Sequence, residues 1–296
     1  MSQIIFLMSV RSARGKANAR ILIDSIRAFG GALRDCPIWL FETNPQKVPC
    51  NDLAGNGVQV IPLNVPETVR DYDFGDKVYA CAQAEAMATP EVQTLVWIDP
   101  ICVVVNPPTL FDLGSAFDAA ARPVHIRNVG LLATDPLDVF WQTIFATVGV
   151  NDIASTVESF VDEQRLRAYF NSHAFAINPK KGLLHCWFDL FEKLVCDQEF
   201  QTRACTDGRH QIFLFQAILS ALLATSLDPK RIHILPPTYN YPYNLQSSLP
   251  LDRRAKSLND LVCFTYEERS INPSEMKDLD VHEPLRSWLA SHQETE

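Results

Sequence analysis

The chain alternates short apolar runs with segments whose apolar residues recur at helical spacing. "IIFLMSV", Ile4 to Val10, reads as a first strand, and "GKANARILIDSIRAFGG" after it as an amphipathic helix closed by Gly30 and Gly31. Two more strands are expected in "PIWLFET" and "VQVIPLNV", the second entered through the turn "GNG" at 55–57. "GDKVYACAQAEAMATP" then places Val78, Cys81, Ala84 and Ala88 on one helical face, and Pro90 enforces its end. "TLVWIDPICVVVNPP", Thr94 to Pro108, reads as the next strand, interrupted by a lone acid, Asp99. A carboxylate inside so apolar a run needs a partner or a task.

The second half is less regular. "LDVFWQTIFATVGV" and "GLLHCWFDLFEKLVC" read as aromatic-rich amphipathic helices, and "HQIFLFQAILSALLAT" as a helix apolar nearly all round and therefore buried. Its Gln216 must find a hydrogen-bond partner or a ligand. "YFNSHAFAINP" reads as a short strand and "ILPPTYNYPYNL" as a loop, while the tail after Asn272 is polar and is expected to wrap the surface. Strands alternating with helices predict an α/β fold: a mixed, mostly parallel central sheet flanked by helices.

Composition narrows the function. With 296 residues, 47% of them apolar, the chain can bury a large core, and a net charge of −9 argues against a nucleic-acid partner. The apolar start lacks a basic leader, and the run Ile212 to Ala224 falls short of the roughly 20 residues a membrane span requires. Eight cysteines stand singly with no CxxC pair, as reduced thiols would in a cytoplasmic protein. His185, Cys186, Cys196, Cys205 and His210 match no common zinc spacing. No GxGxxG follows the first strand, and P-loop, GxSxG and HExxH motifs are absent.

Several residues carry candidate chemistry on their own account. Arg11, Arg14 and Lys16 follow the first strand, where an α/β fold can rest a nucleotide or diphosphate; otherwise they are surface charge at a helix entry. Lys77 stands at a helix start, where its charge opposes the dipole, which points to a phosphate partner. Asp207 in "TDGR" is placed for an acceptor base, or for an ordinary turn. The pairs Asp71/Asp73 and Asp278/Asp280, the latter near His282, read as helix-entry acids and as a solvated tail.

The succession of a first strand, "DKVYACAQAEAMA", "VWIDPICVVVNPP", "YFNSHAFAINP", a Gln-bearing apolar helix and "LPPTYNYP" resembles the GT-A glycosyltransferases, most of all their glycogenin-like and lipopolysaccharide galactosyltransferase-like members. The resemblance spans roughly residues 4–250 and implies one domain over 1–271, with a nucleotide-binding half (1–108), an acceptor- and sugar-binding half (109–271) and a polar tail (272–296). It implies a nucleotide-sugar donor, a separate acceptor, and Mn2+ or Mg2+ held by a "DxD" acid pair at a strand end. Asp99 takes the first position of that pair, for ribose or a single cation. Ile101 takes the second and cannot bind a metal. Three readings follow: one acid working with other ligands, Lys and Arg replacing the metal, or a scaffold that has lost transfer activity and serves as a binding protein. By the same resemblance Arg11, Arg14 and Lys77 face the phosphates, Asn171, Ser172 and His173 the sugar, Asn240 and Tyr241 the sugar or acceptor, and Asp207 and Gln216 the catalytic centre. His173 replaces the glycine of the family's "FNSG".

Overall fold

The computed structural model describes residues 3–276 and 279–292. In the first half, β1 (Gln3–Val10), α1 (Ala13–Phe29), β2 (Ile38–Glu42), β3 (Val58–Pro62), α2 (Glu67–Arg70), α3 (Gly75–Met87), β4 (Val92–Ile98) and β5 (Cys102–Val104) follow in order. The second half holds β6 (Ala119–Ala121), α4 (Val139–Thr147), β7 (Thr156–Glu158), β8 (Arg165–Arg167), β9 (Ala174–Ile177), α5 (Leu183–Cys196), α6 (Gln198–Ala204), α7 (Gly208–Ser226), β10 (Ile232–Ile234), β11 (Tyr241–Pro242), β12 (Cys263–Thr265) and α8 (Leu285–Ser291).

A seven-stranded sheet runs in the order β10-β6-β9-β4-β1-β2-β3, parallel throughout except that β9 lies antiparallel between β6 and β4. The expected mixed, mostly parallel sheet is present, and β1 is buried over nearly its whole length, as a central parallel strand must be. Its two faces carry separate apolar clusters, α1 packing on one and α3, α5 and α7 on the other. Ser12 caps α1 by accepting from Gly15 N at 3.0 Å, so the helix begins at the carboxyl end of β1. Among the described residues no helix is long and apolar enough to cross a membrane.

Two expectations change. The run through Asp99 is two strands rather than one: β4 ends at Ile98, the chain turns at Asp99–Ile101, and β5 joins a second sheet, β11-β12-β5. Cys102 N closes that turn on Asp99 O at 3.0 Å. The tail does more than wrap the surface. Met276, Leu279, Val281, Leu285 and Leu289 are buried in a third cluster against the small sheet, and Trp288 meets Phe29 edge-on at 5.3 Å.

Candidate functional site

The carboxyl ends of β1, β2, β3 and β4 meet on one side of the sheet, where open α/β folds bind ligands. Two cavities flank the end of β1. The larger, ≈ 730 Å³, is lined by the start of α1 with Ser12, Arg14, Gly15 and Asn18, by Ile101, by Asn244, and by Glu267, Glu268 and Arg269. The smaller, ≈ 370 Å³, is lined by Arg11, Thr43, Asn44, Asn64, Arg70 and Asp76. Arg11 and Arg14 therefore point into different cavities, while Lys16 is held outside both by Asp52 at 2.5 Å.

β12 builds the wall opposite Ile101. It pairs antiparallel with β5, Thr265 against Cys102, so the turn after it must cross the Asp99–Ile101 corner. Tyr266 N donates to Ile101 O at 3.0 Å, and Glu267 follows at φ 50°, a left-handed backbone that a glutamate seldom adopts. Asn18 and Asn244 on the same cavity each carry a buried Oδ1 with no hydrogen-bond partner among the described residues. None of Asn18, Asn244, Glu267 and Arg269 stood out in the sequence. Only Asn18 carried a signal, as a polar residue on the buried face of α1.

Asp99 and Lys77 are each other's partners. Lys77 Nζ lies 2.9 and 3.0 Å from the two Asp99 oxygens and 2.6 Å from Ser172 O, with 2% of the side chain exposed. Trp97, two residues before Asp99 and so on the same strand face, donates Nε1 to Asp99 Oδ1 at 2.6 Å. The ammonium is enclosed by the rings of Trp97 (5.1 Å), Phe215 (5.4 Å) and Phe74 (5.9 Å). The dipole penalty at the start of α3 is thus answered by a carboxylate of the protein, Asp99.

The same pairing bears on a divalent ion. A carboxylate offers about four lone-pair sites, and hydrogen bonds to Lys77 and Trp97 occupy three of those on Asp99. Ile101 contributes none, and no group of three His, Cys, Asp or Glu among the described residues is gathered for a metal. The residues present do not fit Mn2+ or Mg2+ at the strand end. His185, Cys186, Cys196, Cys205 and His210 form no such group either. Asp278, of the second acidic pair in the tail, lies outside the described residues.

The expected sugar residues are gathered behind this pair, several as braces. Gln216 does not present its amide oxygen to a ligand; that oxygen accepts from Ser172 Oγ at 3.0 Å and Ser172 N at 3.3 Å, so both side chains hold the segment before β9 in place. Asn171 Oδ1 accepts from His173 N at 2.7 Å and from Asn240 Nδ2 at 2.6 Å, and Asn240 also accepts from Thr265 Oγ1. Tyr241, expected near sugar or acceptor, is 1% exposed and hydrogen-bonds Gln246 and Ala255 N. Asp207 caps α7 by accepting from Arg209 N and His210 N, both at 2.9 Å, and lines neither cavity. His173 remains half-buried with Nδ1 unpartnered; burial pushes its pKa below the ordinary value, against the raising influence of Asp99.

The Rhodobacterales glycosyltransferase domain matches residues 6–223. The chain belongs to this glycosyltransferase family. Its fold is similar to that of the galactosyltransferase LgtC, solved in complex with donor and acceptor sugar analogs, at a TM-score of 0.57 and 14% identity over 99% of this chain and 97% of that one. The bifunctional glycosyltransferase WbbM in its apo form is similar at a TM-score of 0.54 and 14% identity, over 99% of this chain and 52% of WbbM. At such identities the likeness speaks for the shared GT-A architecture. No curated protein matches the chain by sequence.

Proposed function

We propose that this family member transfers a hexose from a nucleotide-diphosphate donor to an acceptor, the donor lying across the two cavities at the end of β1. The larger cavity carries the reading: the first turn of α1, Arg14, Arg269, Asn18 and Asn244 line one space, and each asparagine keeps a buried oxygen without a partner among the described residues. Unpaired N–H groups and the dipole at a helix start attract phosphate oxygens, and flanking guanidiniums add charge-assisted bonds. As the sugar–oxygen bond breaks, negative charge grows on the leaving diphosphate, and fixed cations placed there lower the barrier. Arg14 and Arg269 would serve in that role without a metal on an acid pair. Glu267, Asn18 and Asn244 supply acceptors for ribose or sugar hydroxyls. The smaller cavity, with Arg11, Asn44 and Asn64, suits the nucleoside, and half-buried His173 faces the sugar.

Calorimetry with UDP, GDP and their hexose conjugates, with and without Mn2+, tests the reading. Binding independent of Mn2+ and weakened about tenfold or more by Arg14→Ala is expected, the size of one charge-assisted contact. Absence of binding by every nucleotide in both conditions refutes it. Donor binding without slow hydrolysis or transfer would instead identify a binding protein on the transferase scaffold, a reading favoured by Ile101 in place of the second acid and by the pairing of Asp99 with Lys77.

A further inference from the structure

Beyond the donor cavities lies a row of buried basic side chains, of which only the outer member, His173, stands near carboxylates, Asp99 and Glu267. Residues 122–125 leave β6 and run antiparallel to 169–173, held by Asn171 N on Arg122 O at 2.8 Å and Val124 N on Tyr169 O at 3.2 Å. Arg122 is 2% exposed and bonds no carboxylate among the described residues. Its Nη1 donates to Tyr239 O at 3.0 Å and Asn240 O at 2.6 Å, and its guanidinium carbon lies 4.3 Å from the centre of the Phe160 ring. Nη2 has no partner. Next to it His125 is 7% exposed with both ring nitrogens unpartnered, and the His173 ring, 6.3 Å away, leaves Nδ1 unpartnered as well.

Four nitrogens on three adjacent side chains are thus buried and unsatisfied, where more than about nine in ten buried polar groups in proteins find partners. Leaving such a group unpaired destabilises the fold, and an uncompensated buried cation does so more. Burial lowers the Arg122 pKa to about 9, and burial, Arg122 and His173 together keep His125 well below its usual value. One guanidinium and neutral imidazoles form a donor set with a single positive charge, suited to an oxyanion.

We propose that Arg122, His125 and His173 form a subsite for an anionic oxygen group, a carboxylate or phosphate borne by the transferred sugar or the acceptor. The group enters beside His173, the half-buried outer member, whose carbonyl accepts from Asp99 N at 2.7 Å and so stands at the strand end. Arg122 Nη2 donates to one oxygen and the imidazoles to the other, while the Phe160 ring covers the Arg122 guanidinium. The subsite rests on the transferase reading only for the molecule that carries the anion.

The full-length protein is titrated with inorganic phosphate, glucuronate and glucose at constant ionic strength, by calorimetry and by the histidine side-chain NMR signals. Phosphate or glucuronate binds and moves the His125 and His173 signals, whereas glucose does neither. Glucuronate alone identifies a sugar carboxylate, phosphate alone a phosphate group, and both a general oxyanion site. Arg122→Met, which keeps the apolar stem against Phe160, weakens the anion about ten- to a hundredfold. His125→Phe provides a second variant should Arg122→Met not fold. Failure of both anions to bind wild-type protein overturns the proposal, as does binding lost in Arg14→Ala but kept in Arg122→Met. UDP binding is measured on the same samples: its absence with the anion retained refutes the donor reading alone, and the reverse refutes this subsite alone.

Discussion

Replacing Lys77 by methionine removes the ammonium and keeps the stem among Phe74, Trp97 and Phe215. The Asp99 carboxylate, its side chain 11% exposed, would then retain only the Trp97 Nε1 bond, and Ser172 O would lose its donor. Breaking a buried ion pair by removing one partner costs about 3–5 kcal/mol, a large part of the roughly 5–15 kcal/mol that holds a domain together. The melting temperature should fall by about 10 °C. Asp99→Asn strands the cation instead and should also destabilise. Lys77→Met combined with Asp99→Asn leaves no buried charge, so the double variant should recover at least about 2 kcal/mol relative to the sum of the singles. Urea unfolding of the four proteins measures the cycle, provided the denaturant slope is common to all. A coupling below about 0.5 kcal/mol would refute the pairing. So would a Lys77→Met protein of wild-type stability with weakened donor binding, because that is the behaviour of a lysine serving only phosphate.

Three further outcomes are expected. Asp118, held by Arg231 at 2.9 Å, Lys181 at 3.1 Å and Asn178 at 3.2 Å, has its carboxyl pKa lowered to about 2. A lowered folded pKa means stability that is present above the ordinary value of about 3.9 and is lost as pH falls toward 2; acid unfolding of Asp118→Asn should therefore show a shallower slope in that window, and an unchanged slope would count against the network. Gln216→Leu should cost about 1–3 kcal/mol by leaving the Ser172 hydroxyl and N–H without their acceptor, read by chemical unfolding, and a neutral result would return Gln216 to the ligand. Gly31→Ala should destabilise by about 1–3 kcal/mol, since Gly31 sits at φ 58° and a Cβ would come within 2.6 Å of Pro107 Cγ; wild-type thermal stability would show that this corner can relax.

Much of the fold was written in local pattern. β1, α1, β2, β3, α3, α4, α5 and α7 all lie where the apolar period places them, because burial of one face or of a whole strand imposes a spacing that neighbouring residues alone can carry. The order of those elements was enough to suggest the family, and Asp99 was legible as a carboxylate that required a partner. Its partner was legible only as a separate oddity, a lysine at a helix start. Tertiary structure joined the two: the crossover from α3 to β4 brings Lys77 against Asp99, and the antiparallel return of β9 brings Ser172 O to the same ammonium. The break of the "WIDPICVVV" run had the same origin, since β5 leaves the main sheet to pair with β12, about 160 residues further along the chain. Glu267 and Arg269 sit in a turn with no distinctive pattern, and they face Ile101 only because that pairing carries them there. Periodicity records which side of an element is buried, whereas the chemistry of a pocket depends on which distant elements the sheet order places side by side.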